Sequence, residues 1–306
     1  MRIFDKTGTV RLQENGNDVR PEIDRGALRG ILLNSLPPGV IHWGSKVTSV
    51  INGENGRHKV MLENGETFTT SLLVGADGAW SKVRPLVSSA QPIYLGISFA
   101  ETRFLNVDED HPGIAAVVGS GSMFALSDEK GLLAHRDGER RINVYAAVKA
   151  AEPWAVPGAV DFGDRGLVRA RLMEYFSGWD EKLLALITDG DIDFVPRSIY
   201  TLPIGHSWER VPGVTLIGDA AHLMSPFAGE GANLAMLDGA DLAETILAYP
   251  GDAERALAEY EAKTFPRSKE AAAESASNLA ISFRSDAPKG LLDLFAQFDL
   301  QRTSAG

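Results

Sequence analysis

The chain has 306 residues, 44% of them hydrophobic and 23% charged, with a formal net charge of −11 and no cysteine. This balance supports a packed core and excludes wholesale disorder. Without cysteine there are no disulfides, no thiolate catalysis and no thiolate metal sites, and so acidic a surface repels nucleic acid and anionic membranes over most of its area. No apolar run approaches the ~20 residues of a membrane helix. The first sixteen residues carry charges where a signal peptide would have its apolar stretch. With the absence of disulfides, this fits a cytoplasmic protein.

In chain order, Ile3-Phe4 and Val10 with Leu12 flank the turn formers Asp5-Lys6-Thr7-Gly8 and predict strand, turn, strand. Asp24 precedes a helical pattern in Leu28, Ile31, Leu32 and Ser35, which Pro37-Pro38-Gly39 stops. Short strands are predicted over 40–43, 46–51, 58–62 and 67–70, with hairpin signals at Asn52-Gly53 and Asn64-Gly65. A buried strand over 72–74 runs into Gly75-Ala76-Asp77-Gly78, and a short helix is expected through Val83.

From about 93 to 148 strands dominate, the best at 114–118, 123–126, 131–135 and 142–148. The block reads as an antiparallel sheet with one exposed face. Helices are expected over 167–176 and 180–187, followed by a strand over 199–202 that leads away from the sheet. A buried strand over 214–217 ends at Gly218-Asp219. Helices then cover 231–249, 253–276 and 291–298. The order is α/β, then mainly β, then α/β, as if the sheet were inserted into a domain made by both ends. Ligands in open α/β sheets sit at the carboxyl ends of strands, and the two strongest motifs lie at such ends.

The first motif is Gly218 to Asn233, GDAAHLMSPFAGEGAN. A buried strand delivers Asp219, whose carboxylate can accept hydrogen bonds from ligand hydroxyls. Gly229 and Gly231 let the backbone approach a flat ligand. The following helix start offers free N–H groups and the positive end of its dipole to a developing negative charge. The second motif is Gly75-Ala76-Asp77-Gly78-Ala79-Trp80-Ser81-Lys82-Val83-Arg84, where Gly78 permits close approach and a helix start would favour phosphate.

The first string resembles the GD motif of the group A flavoprotein monooxygenases, the para-hydroxybenzoate hydroxylase-like superfamily. The resemblance implies that Asp219 binds ribityl or ribose hydroxyls of FAD and that Pro226 lies along the oxygen-reactive face of the flavin. Gly229, Gly231, Ala232 and Asn233 then contact the pyrimidine edge. The second string is similar to the family's DG motif, which assigns Asp77 and Gly78 to the FAD pyrophosphate and to NAD(P)H binding. Glu22-Ile23-Asp24-Arg25-Gly26-Ala27-Leu28-Arg29 resembles the segment whose arginine reaches FAD, here Arg25, with Arg29 one turn on, and Arg20-Pro21-Glu22-Ile23-Asp24-Arg25 carries the closer likeness to one branch of the family.

The likeness is greatest to the tetracycline-inactivating and polyketide-hydroxylating branch and weakest from 93 to 195, where the substrate pocket should lie. It implies a Rossmann-like α/β FAD-binding domain over 1–90 and 200–265, an inserted mainly antiparallel β substrate domain over 91–199 and a C-terminal helical segment over 266–306. No side chain need be a nucleophile: NAD(P)H reduces FAD, and a flavin C4a-hydroperoxide oxygenates an aromatic or polyketide-like small molecule, tetracycline-like compounds being among the candidates. Antibiotic resistance would follow from the last of these. A flavin reductase or dehydrogenase shares both motifs and remains an alternative.

Complete members of the family begin with a strand, G-x-G-x-x-G and a helix that cradle the pyrophosphate. Here Met1-Arg2-Ile3-Phe4-Asp5 matches a position well inside that pattern. The chain is therefore expected to be N-terminally truncated, lacking the first βαβ, and to bind FAD weakly. An inactive remnant is a further alternative. His222 lies three residues after Asp219, but no nucleophile elbow accompanies it, and the six histidines show no metal-ligand spacing. Gly119-Ser120-Gly121-Ser122 lacks a third glycine and reads as a hairpin turn.

Overall fold

The computed structural model describes residues 1–14, 23–53, 56–138, 140–154 and 160–304, with side chains as far as 297. β1 (Arg2–Phe4) and β2 (Val10–Gln13) form the expected hairpin. Asp5 closes its turn by accepting from the Thr7 N–H at 2.9 Å and from Arg11 Nε at 2.7 Å. α1 (Arg25–Asn34) starts where Asp24 caps it, accepting the Ala27 N–H at 3.0 Å. Residues 40–43, expected as a strand, are turns. Gly39 and Gly44, at φ 83° and 74°, break the extended path on either side.

β3 (Val47–Asn52), β4 (His58–Leu62) and β5 (Thr67–Thr70) make an antiparallel sheet. β6 (Leu73–Gly75) follows. The helix expected through Val83 is absent. Ser81 Oγ instead accepts the N–H groups of Val83 and Arg84, at 3.1 and 2.9 Å, and turns the chain into a single 3₁₀ turn over Arg84–Leu86.

β7 (Ile93–Phe104) leads to α2 (Val107–Asp110) and α3 (Pro112–Val118). The strand expected over 114–118 is thus a helix. Pro112 occupies its first turn, and Ile114 and Val118, four residues apart, share the buried face. Gly119, at φ 80°, ends it, so Gly119–Ser122 joins a helix to a strand and not two strands of a hairpin. Then come β8 (Ser122–Ser127), β9 (Lys130–Arg136), β10 (Ile142–Lys149), α4 (Arg165–Tyr175), α5 (Glu181–Thr188) and β11 (Val195–Thr201). β12 (Val214–Leu216), α6 (Asp219–His222), α7 (Gly231–Ala248), α8 (Ala253–Ser282) and α9 (Lys289–Ser304) complete the chain.

The chain divides into two compact units. The first comprises 1–37, 96–199 and 280–306 and contains a seven-stranded sheet in the order β11-β7-β10-β9-β8-β1-β2. β11 therefore does not lead away from the sheet; it lies beside β7. Alternation decides the faces. Ala100, Phe104, Ala134, Val144, Ala146 and Val148 pack with Val168, Leu172, Leu183 and Leu186 of α4 and α5. The opposite face carries Glu101, Arg103, His135, Asn143 and Tyr145, none fully buried. That face also buries Ile97, Phe99, Leu126 and Ala147, so the single exposed face that the sequence predicts is exposed only in part.

The second unit comprises 38–95 and 200–279. Its β6 and β12 pair in parallel, Leu73 opposite Val214 and Gly75 opposite Leu216. Gly75 has no room for a side chain, since a Cβ would stand 2.6 Å from Leu216 and 2.8 Å from Val83. Val83, Val214, Leu216, Ala220 and Ala221 form one core cluster, and Leu242, Leu257 and Tyr260 another.

These compact units divide the chain differently from the expected domains at both ends. Residues 1–37 join the large sheet because β1 pairs in parallel with β8, and residues 266–279 stay with the second unit. No helix among the described residues is long and apolar enough to cross a membrane.

Candidate functional site

In the second unit, β12 is followed, after Ile217, by Gly218, whose φ of 59° swings the chain into α6. A Cβ at Gly218 would lie 3.1 Å from Ala235 Cβ, so the glycine lets the strand end press against α7. Asp219 is exposed, whereas Ala220, Ala221 and His222 turn inward and are buried. Pro226 and Gly229 are exposed, with Gly229 at φ 71°. α7 begins at Gly231 without any side-chain cap from Glu230. Ala232 and Asn233, in its first turn, are exposed. The GD segment thus presents a carboxylate, two glycines and an uncapped helix start on its outer side.

Its inner side is held by directed polar contacts. Asp238, fully buried on α7, accepts from the Gly218 N–H at 2.9 Å and pairs with His222 Nε2 at 2.6 Å through the same oxygen. Its other oxygen takes Arg267 of α8 at 3.0 Å, and Arg267 also reaches Asp241 at 2.6 Å. Burial pushes the Asp238 carboxyl up, but His222, the Gly218 N–H and Arg267 together outweigh it and hold the group below the ordinary aspartate range. His222 is therefore part of a structural network, which agrees with setting aside a hydrolase role for it.

The loop is anchored in the same way. Ser275 donates to the Ser225 carbonyl at 2.6 Å, and the two hydroxyls lie 2.6 Å apart. Asn278 donates to the Phe227 carbonyl at 3.1 Å, and the Leu202 N–H donates to the Leu223 carbonyl at 2.9 Å.

Asp77 is exposed and accepts the Lys82 N–H at 2.6 Å, so it closes its own turn; Gly78 has φ 79°. The two motifs meet through Arg84. Its buried guanidinium donates to the Ala79 carbonyl and, at 3.1 Å, to the Ala220 carbonyl. Burial lowers its pKa, and Asp77 partly opposes this. His206 bridges the Ala221 carbonyl, at 2.6 Å, and the Ser88 hydroxyl, at 2.9 Å. Burial lowers its pKa, against the opposing pull of the Ala221 carbonyl. A neutral ring that donates from Nδ1 and accepts at Nε2 fits both contacts.

Arg25 lies in the first unit, exposed, at the start of α1. Its charge reaches the Tyr145 hydroxyl on the open sheet face. Glu22 of the same motif, and Arg20 and Pro21 before it, lie outside the described residues.

The motifs give no hint of the supporting residues Arg267, Ser275 and Asn278, and Asp238 also escapes them. One signal for Asp238 is present in the sequence. Leu234, Asp238 and Leu242 recur every fourth residue on the buried stripe of α7, and a lone carboxylate in such a stripe demands partners.

The groups on the outer side fit the ring and ribityl end of FAD: an acceptor for hydroxyls, glycines that leave room for close approach, and uncapped N–H groups for a negatively charged ring edge. No group of three or more His, Asp or Glu among the described residues could hold a metal ion.

Fold and site together define a flavin-binding α/β protein with a second, β-sheet unit. Residues 207–275 match the family described as an FAD binding domain. The chain is 31% identical over 357 aligned residues to Monooxygenase asqM of Emericella nidulans, covering 96% of this chain and 80% of that protein. Among solved structures, Klebsiella pneumoniae HpxO complexed with FAD and uric acid superposes with a TM-score of 0.72 at 23% identity, covering 90% of this chain and 67% of that one. Tetracycline destructase Tet(51) does so at 0.66 and 21%, covering 97% and 76%. The chain belongs to the FAD-dependent monooxygenases of group A.

Proposed function

We propose that this chain hydroxylates an aromatic or polyketide-like small molecule, using FAD, NAD(P)H and O₂. One observation carries the reading: the GD segment exposes Asp219 and an uncapped helix start, while contacts behind it hold its backbone at Gly218, Ser225 and Phe227. In this reading Asp219 accepts from ribityl hydroxyls. The N–H groups of Gly231, Ala232 and Asn233 donate to the charged edge of the ring. Gly229 lets the backbone lie flat, and Pro226 covers the oxygen-reactive face. Asp77, Gly78 and Arg25 contact the rest of the cofactor. Bound FAD supplies electron uptake from NAD(P)H and activation of O₂. One oxygen atom enters the substrate C–H bond, the other leaves as water, and NAD(P)H is oxidised. The protein's own part is to orient substrate and cofactor and to exclude water. The large sheet of the first unit is the substrate-binding part. Uric acid in HpxO and the tetracyclines of Tet(51) place purine-like and tetracyclic compounds in the substrate panel.

The test has two stages. FAD titrated into the purified chain should lose fluorescence with saturable binding. Substrate-dependent consumption of NAD(P)H and O₂ should then yield a product heavier by one oxygen atom. Pyridine-nucleotide oxidation without an oxygenated product would identify a reductase instead.

A further inference from the structure

In the first unit, the β1–β2 hairpin, α3 and α5 border a cavity of about 500 Å³ that the flavin chemistry does not use. Phe4 and Leu183, both buried, belong to the apolar cluster that α4 and α5 cover, and they form its floor. Val10, Ala116 and Val117 add apolar wall. The cavity therefore lies on the helix-covered side of the large sheet, and its size is that of a small-molecule site.

Among the described residues, only two charged side chains line it, Arg2 and Lys182, and both are cations. Neither makes an ion pair there. Arg2 donates from Nη1 to two neutral carbonyls of α3, those of Ala116 and, at 3.0 Å, Val117. The exposed Lys182 ammonium makes no hydrogen bond among the described residues. Two cations without carboxylates stand out in a chain with 41 acidic residues against 30 Lys and Arg. A smaller adjoining hollow, about 350 Å³, shares Gly113, Val117 and Lys182 but is also lined by Asp110 and Asp189, whose charges turn an anion towards the larger one. Gly113 is an independent sign. Glycine is a poor helix former, yet it stands in the first turn of α3. Its φ is not left-handed, and a Cβ would meet no atom within 4 Å, so neither backbone nor crowding requires it. The missing side chain leaves open space at the cavity.

We infer that this cavity binds a medium-chain alkyl carboxylate, with its charge at Lys182 and Arg2 and its chain over Phe4, Val10, Val117 and Leu183. The lining selects an alkyl body. Phe4 is its only ring, and Gln13 its only neutral polar side chain, so it serves neither ring stacking nor a hydroxyl-rich ligand. The two cations fix which end of the ligand enters the apolar part. None of these residues is among those assigned to FAD, and the inference does not rest on the oxygenase reading.

The experiment is calorimetric titration of the purified chain with octanoate, 1-octanol and butanoate. Octanoate should bind saturably at one site per chain. The alcohol, lacking the charge, should bind at least about tenfold more weakly. Butanoate, which buries four fewer methylenes, should also be at least about tenfold weaker. Lys182→Gln should weaken octanoate severalfold and leave octanol unchanged, and Lys182→Arg should restore much of the loss. Gly113→Leu puts a side chain into the open space. It should weaken octanoate and octanol alike, at least about tenfold, with an unchanged or higher urea midpoint. Equal affinity for octanoate and octanol in the unaltered chain overturns the inference, and so does the absence of saturable octanoate binding at millimolar concentration. Octanoate binding that survives Gly113→Leu in a folded chain places the ligand elsewhere and overturns it too. If Gly113→Leu fails to fold, Lys182→Gln decides, since that side chain is exposed and holds nothing: an unchanged preference for octanoate over octanol then overturns the inference.

Discussion

The two units are stabilised by different means. In the first, the covered sheet face and α4 and α5 bury a continuous apolar cluster. In the second, the apolar clusters are small, and the segments between them are fixed by buried hydrogen bonds and ion pairs: Asp238 with His222 and Arg267, Ser225 with Ser275, Glu261 with Arg210 and Thr215. Hydrophobic burial is non-directional and sets volume, whereas hydrogen bonds set position. A loop that must hold a flat cofactor on its outer side has few apolar partners there. Directed contacts from behind are what remain to define it.

The largest effect should come from removing Asp238. Asp238→Ala leaves Arg267, His222 and the Gly218 N–H without their shared partner and should cost about 3–5 kcal/mol. Leu183→Ala in the first unit's core should cost about 2–5 kcal/mol. Urea denaturation measures both. The distinction lies in FAD titration of the folded fractions: Asp238→Ala should weaken FAD binding, and Leu183→Ala should leave it intact. Equal losses of FAD affinity would erase the contrast between the units.

The pH dependence sharpens the same point. The Asp238 carboxyl is held below its ordinary value in the folded chain, so its contribution is fully present above that ordinary value, near pH 4. It is lost as pH falls through the lowered, folded value. Urea midpoints between pH 6 and pH 3 should therefore fall more steeply for the unaltered chain than for Asp238→Asn, which has no carboxyl to titrate. Parallel slopes would remove Asp238 from the acid sensitivity.

A smaller loss is expected at the Ser225–Ser275 pair. Ser275→Ala removes one donor to a buried carbonyl and the partner of a buried hydroxyl, for about 1–3 kcal/mol. Hydrogen exchange should speed up in residues 225–230 and not in the first unit's sheet.

What is legible in the sequence and what is hidden follow the same division. Strands with clear alternation or an Asn-Gly turn, such as β3, β4 and β10, can be read from local pattern. So can both motif loops, because glycines and strand ends mark them. Elsewhere the surroundings override local propensity. Val117 and Val118 favour strands, but Pro112 and the i, i+4 burial of Ile114 and Val118 make α3 a helix. The turn after Asp77 is closed by Ser81 and the Asp77 carboxylate and needs no helix. Residues 1–37 join the sheet through β1 and β8, a pairing across more than a hundred residues that no local signal encodes. The partners behind the GD segment are likewise remote. Arg267 and Ser275 sit on α8, and only the packing of that helix shows what they hold.

The smallest stability effect should come from the residue with the largest proposed role. Asp219 is exposed, and no contact of its carboxylate is seen among the described residues; only its backbone carbonyl meets Arg84, at 3.5 Å. Asp219→Ala should therefore change the unfolding free energy by no more than about 0.5 kcal/mol. FAD affinity should nevertheless fall at least about tenfold, or about 1.4 kcal/mol, because the lost carboxylate has no substitute for the ribityl hydroxyls. Asp219→Asn, which keeps one acceptor oxygen, should fall between the two. Asp238→Ala loses stability and FAD together, whereas Asp219→Ala should lose FAD alone. A carboxylate that the fold does not need, at the end of a strand that the fold holds rigidly, is one available to a ligand. If Asp219→Ala unfolds the chain or leaves FAD affinity unchanged, the outer side of this segment is not the cofactor face.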